Sequence, residues 1–170
     1  MINNMKPQYF LHGCNSNATM GAGIAKVLAD EWPEVAITDA EYIIPKGIHR
    51  LGNASWVMVN DHTNVINLYT QVYPGPDFRP KAFRLALMKF LSMLDIPNWK
   101  GDLPLIMMPR IGCGLAKQPH MSYKDRWVAV SKIIREVCEE LEITKEQQNE
   151  LFMIVGINGD HQKYEKSDQD

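Results

Sequence analysis

Tyr9-Phe10-Leu11-His12-Gly13-Cys14-Asn15, followed by the polar stretch Ser16 to Met20 and then by Gly21-Ala22-Gly23-Ile24-Ala25, decides how this chain is read. The first seven residues begin as an apolar run and end in turn formers, which predicts a buried strand running into a loop at its C-terminal edge. From Gly21 the pattern turns helical, with Ile24, Val27 and Leu28 expected on one buried face and Pro33, after Trp32, expected to end the helix. In that order, strand, glycine loop and helix start leave backbone N–H groups and the positive end of a helix dipole facing the space beyond the strand, where an anion fits. A lone G-x-G also fits a tight turn that needs small residues. Lys26 stands where the dinucleotide fingerprint G-x-G-x-x-G requires its third glycine, so a nicotinamide dehydrogenase loses ground.

Outward from that segment, strands and helices alternate. Ser55 to Asn60 and Thr63 to Thr70 read as two strands joined by the Asp61-His62 turn, an antiparallel hairpin. Pro80 suits a helix start, and Phe83, Leu87, Phe90, Leu91 and Leu94 recur at helical spacing until Pro97. Leu103 to Met108 is a short apolar run that feeds a second glycine-bearing loop, Pro109-Arg110-Ile111-Gly112-Cys113-Gly114-Leu115. Ser122 with Asp125 three residues on resembles a capping box, and Trp127, Val130, Ile134, Val137 and Leu141 form the apolar stripe of a long helix behind it. Leu151 to Ile157 supplies a last strand, and residues 159–170 read as a polar, frayed tail after a single domain spanning 1–158. The pattern predicts a mixed α/β sheet covered on both faces, with both glycine loops beyond strand carboxyl ends, where such sheets bind ligands.

Composition narrows the classes. With 170 residues, 45% of them hydrophobic, one core is the default. Eighteen Lys plus Arg against 20 Asp plus Glu give a net charge of −2, which supplies no global positive field to hold long nucleic acid and favours a small ligand. No apolar run approaches the roughly 20 residues of a membrane span. The N-terminus lacks an apolar signal core, and the three cysteines, Cys14, Cys113 and Cys138, are odd in number and widely separated, so a reducing cytoplasm is expected. No C-x-x-C pair or His cluster accompanies them. Neither a metal nor a cofactor is expected.

Four segments occur in a telling order: His12-Gly13-Cys14-Asn15, Met20 to Ala25, Asn67-Leu68-Tyr69-Thr70-Gln71, and Met108 to Leu115. Together they resemble the successive signatures of the macro domain, an ADP-ribose-binding fold, over about Tyr9 to Ile157. The likeness is closest to the branch holding ADP-ribose 1''-phosphate phosphatases and the terminal ADP-ribose protein glycohydrolase. It implies a three-layer α/β/α architecture around a mixed central sheet, with ADP-ribose or ADP-ribose 1''-phosphate as ligand. It also implies that Gly21, Ala22, Gly23 and Ile24, with Met20, bind the diphosphate and distal ribose, and that Asn15, beside Cys14, meets the ribose. Pro109, Arg110, Ile111, Gly112, Cys113, Gly114 and Leu115 would clasp the phosphates from the other side, with Thr70 and Gln71 at the end of the central strand.

The chain departs from that pattern in two places. Macro domains usually carry an extra first strand whose aspartate reads adenine; only about eight residues precede the first motif strand here, that aspartate is not assigned, and Asn158-Gly159-Asp160 is a speculative substitute. Gln71 or Thr70 falls near the glycohydrolase lysine and Ala116 replaces its aspartate, so a lysyl-ribose mechanism is not expected.

The leading expectation is hydrolysis of ADP-ribose 1''-phosphate to ADP-ribose and phosphate, with His12, Asn15 and Gln71 as catalytic candidates. An imidazole with a reference pKa near 6.5 could protonate a leaving oxygen or orient water at neutral pH. Each candidate has a plainer alternative: His12 tied inside the sheet, Asn15 in an Asx-turn, Gln71 bonded to the neighbouring loop, Arg110 turned away from phosphate, and Cys113 a packing residue rather than a nucleophile. Hydrolysis of ADP-ribose from modified protein or nucleic acid, a non-catalytic ADP-ribose reader, and a nicotinamide- or flavin-binding protein using the first loop alone are the competing readings.

Overall fold

A computed structural model describes residues 5–117, 119–156 and 161–163. The chain runs β1 (Gln8–Asn15), α1 (Gly23–Glu31), α2 (Pro33–Ala40), β2 (Ala54–Met58), β3 (Thr63–Gln71), α3 (Pro80–Leu94), β4 (Leu105–Met108), α4 (Tyr123–Glu140), α5 (Lys145–Leu151), β5 (Phe152–Val155) and β6 (His161–Lys163). These form one mixed, six-stranded sheet in the order β2-β3-β1-β4-β5-β6. β1 pairs parallel with β3 and β4, β4 pairs parallel with β5, and the outer pairs β2–β3 and β5–β6 are antiparallel. No helix among the described residues is long and apolar enough to cross a membrane.

Alternation along β1 separates two apolar layers. Leu11 faces Ile66, Leu68, Ile106 and Met108 together with the α3 residues Phe83, Leu87 and Phe90 and the α4 residues Val130, Ile134 and Val137. On the opposite face Phe10, with Val65 and Val57, meets Leu28 of α1 and Val35 of α2. Helices therefore cover both faces, giving the expected three layers.

Two expectations need correcting, and one is extended. Pro33 does end α1, which stops at Glu31. It occupies the first turn of α2, where its missing N–H costs nothing and its fixed φ suits a helix start. Val27, expected to be buried with Leu28, is 60% exposed, because α1 contacts the sheet through a narrow stripe. The stretch expected to fray contains β6, which pairs with the otherwise open edge of β5. Residues 157–160, including the speculative adenine-reading segment, lie outside the described residues.

Candidate functional site

The chain leaves β1 toward β3 on one side, and leaves β4 toward β5 on the other. Adjacent parallel strands whose connections diverge open a crevice beyond their carboxyl ends. The loop after β1 and the loop after β4 flank that crevice, and they touch. A Cβ built on Gly23 lies 3.4 Å from Leu115 Cδ1, and one built on Gly13 lies 3.1 Å from Ile111 Cγ2. The two glycine loops thus share one cleft.

The first loop is shaped by Asn15. Its Oδ1 accepts from the backbone N–H of Asn17 at 3.1 Å and from Thr19 Oγ1 at 3.1 Å, while its Nδ2 donates to Thr19 O at 2.8 Å. The amide is spent as an Asx-turn on the loop itself, so Asn15 holds the backbone that leads to Gly21. Ala22 is the extended N-cap of α1 (φ −154°), with no side-chain cap, and the first turn carries no acidic residue. Gly21, Ala22 and Gly23 are exposed, and Gly23 starts the helix at φ +60°, where a side chain would be strained. Met20 and Ile24 are half-buried against the Leu28–Val35 cluster and support this turn from behind.

The second loop is braced by the segment after β3. Gly112 sits at φ +77° with its missing Cβ position 2.9 Å from the Phe78 ring, so only glycine fits there. Phe78 N donates to Ala116 O and Arg79 N to Thr70 O. Asp77 Oδ2 accepts from the amides of Val72 and Tyr73, and those bonds with the Arg79 contact hold its carboxyl below the usual range despite desolvation. Gln71 Nε2 donates to Tyr73 O at 2.7 Å and to Gly75 O at 3.3 Å, so Gln71 shapes this same turn. Ile111 and Cys113 are buried; Gly114 and Leu115 are exposed at the cleft. Burial pushes the Cys113 thiol up, which leaves it a neutral packing group. Arg110 lies over the rings of Tyr123 and Trp127 and donates to Tyr123 Oη, pointing toward α4. The Thr70 side chain is buried against Gly13, and Cys14 is buried with Sγ directed at Leu68 O.

His12 does not face the cleft. Its ring is fully buried on the α2 side of the sheet, where Nε2 donates to Asn67 Oδ1 at 2.6 Å. Burial lowers its pKa to about 4, against the smaller opposing effects of the Asn67 bond and the Gly13 backbone. At neutral pH the imidazole is uncharged and sealed from solvent, a geometry that suits the structural alternative. The unfolded chain binds this proton first, since its histidine titrates near 6.5, so the stabilising contribution is complete above that pH and is lost as pH falls toward about 4. The difference corresponds to about 3 kcal/mol. Urea midpoints measured through this acid range should drop steeply for the wild type and less for His12→Gln; equal slopes would overturn the assignment.

His12 begins a buried polar chain that the sequence did not announce. Asn67 Nδ2 donates to Ser55 Oγ at 3.2 Å, Ser55 Oγ meets Tyr69 Oη at 2.9 Å, and Tyr69 Oη donates to Asp39 Oδ1 at 2.9 Å. Arg50, 1% exposed, closes it through Asp39 Oδ1 at 3.3 Å and also donates to the carbonyls of Asp39, Tyr42 and Ile44. That guanidinium fixes the 39–47 strap, and Gly47 N donates to Ser16 O, joining the strap to the first loop.

Comparison with known structures identifies the fold. A macrodomain protein from Streptomyces coelicolor superposes with a TM-score of 0.60 at 18% identity, over 91% of this chain and 90% of that one. Thermosipho africanus DarTG, solved in complex with ADP-ribose, matches with a TM-score of 0.61 at 15% identity, over 89% of this chain and 39% of that larger one. The three layers and the mixed sheet are the macrodomain fold. No protein-family model matches the sequence. The chain belongs to the same family as an uncharacterized 17.5 kDa protein from the tk-vs intergenic region of Enterobacteria phage T4, with 31% identity over 135 residues, 78% of this chain and 81% of that protein.

Proposed function

We propose that the cleft binds ADP-ribose, with its diphosphate between the amides of the α1 first turn and those around Gly114. The observation that carries this reading is the approach of Leu115 to Gly23, where a Cβ would lie 3.4 Å from Leu115 Cδ1; it supports one ligand lying between the exposed turn at Gly21 to Gly23 and that at Gly114. Oriented N–H groups and a helix N-terminus without an acidic neighbour favour an anionic phosphate group, and they need no excess of basic side chains. The ADP-ribose carried by the Thermosipho structure supports the same ligand.

We further propose that the cleft accepts ADP-ribose 1''-phosphate and transfers its terminal phosphoryl group to water, giving ADP-ribose and inorganic phosphate. The water oxygen bonds to phosphorus as the bond to the ribose oxygen breaks. With His12 sealed in the sheet, rate enhancement falls to positioning and to amide stabilisation of the charge on the departing oxygens.

Calorimetric titration with ADP-ribose should give saturable binding, with AMP weaker because one wall of the cleft is left empty and NAD weaker because its nicotinamide occupies the free ribose end. AMP binding as tightly as ADP-ribose would remove the two-walled site. Phosphate release from ADP-ribose 1''-phosphate supports the hydrolase. Binding without release from any ADP-ribosyl substrate defines a reader, and release of free ADP-ribose from modified peptides or DNA defines the ADP-ribosyl hydrolase alternative.

A further inference from the structure

β2 is the terminal strand of the sheet, and among the described residues nothing pairs with its outer edge. Tyr69 N donates to Asn53 O and Val59 N to Thr63 O, so the odd-numbered residues of this strand turn their peptide groups toward β3. Alternation then turns the N–H and C=O groups of Ala54, Trp56 and Met58 outward. The same residues expose apolar side chains: Trp56 is 48% and Met58 64% exposed. No charge, proline or bulge interrupts Ala54 to Met58, the devices by which soluble proteins guard an edge against pairing.

We infer that this edge is a dimer interface, occupied by β2 of a second copy in antiparallel register about Trp56. The register is self-complementary, as a two-fold contact requires. Trp56 meets its own equivalent as a hydrogen-bonded pair, and small Ala54 lies opposite long Met58 at both ends. One step further, Asn53, which accepts from Lys89, falls opposite Val59 of the second copy, and the exposed Asp61 of that copy's turn follows. The lysine and the carboxylate thus approach each other with opposite charge, once at each end. The result is a continuous sheet through two molecules, with both clefts at strand ends away from the contact.

Sedimentation of the full chain at micromolar concentration tests this. The wild type should run at twice the 19.4 kDa chain mass. Trp56→Lys and Trp56→Glu, each placing like charges face to face on the axis, should both run as monomers with unchanged circular dichroism. Mixing the two in equal amounts should restore the dimer, which a mere folding defect would not do. A wild-type monomer, or a mixture that stays monomeric, overturns the proposal; neither outcome touches ADP-ribose binding.

Discussion

Arg50→Met is expected to lower the free energy of unfolding by about 3–5 kcal/mol, the usual cost of removing one partner from a buried ion pair. Domains of this size are stable by only about 5–15 kcal/mol, so the variant should sit close to the edge of folding at ambient temperature. The size of the effect follows from what the guanidinium does. It neutralises Asp39 and satisfies three backbone carbonyls of the strap, all in the space between α2 and the sheet. Desolvation already raises the Asp39 pKa in the intact protein, even with Arg50 and Tyr69 beside it. Without the guanidinium, that carboxylate keeps only the Tyr69 hydroxyl and the weaker attraction of Lys46. Denaturant unfolding measures the loss, and Arg50→Met combined with Asp39→Leu should recover part of it, because an apolar pair of similar volume leaves no buried charge behind. Additive losses in the double variant would show that the two side chains act independently.

The second large effect separates stability from ligand binding. Ala22→Asp should stabilise the protein by about 1 kcal/mol while weakening ADP-ribose binding more than about 100-fold. Ala22 is an extended N-cap with no side-chain bond and is exposed, so an aspartate fits without strain and can accept from the first-turn amides. Those are the amides assigned to the diphosphate, and a fixed carboxylate there opposes a second anion by several kcal/mol. Thermal unfolding and calorimetry on the same preparation read both quantities. A stabilised variant that still binds ADP-ribose would move the ligand elsewhere.

The strands and helices that shape the cleft were legible because their signals are local. An apolar run ending in Gly13 and Asn15, the α3 and α4 stripes, and Ser122, whose hydroxyl does accept from Asp125 N, all follow from period and capping chemistry. α5 carries an equally local signal, since Thr144 and Gln147 form a reciprocal capping box that stands in the sequence as T-x-x-Q. α2 is not legible as a separate element because Pro33 both terminates α1 and suits the first turn of the helix that follows. The glycine loops and their shared cleft were also within reach, since parallel strands put successive loops at one edge. Side-chain direction was not. Whether His12 points into the cleft or away depends on the parity of β1, and whether Asn15 or Gln71 has a free amide depends on loop bonds made after folding. Arg50 with Asp39 carries no motif at all; its burial follows from tertiary packing over Tyr42 and Tyr69.

Phe78 under Gly112, the Asx-turn of Asn15 and the strap held to Ser16 all restrain the cleft walls before any ligand arrives. Amides restrained in this way have little rotational freedom left to surrender on association, so affinity should come with a small entropic penalty and fast equilibration. A receptor prepared in advance needs no closing motion to engage an anion, and its selectivity then rests on the fixed spacing of its donors.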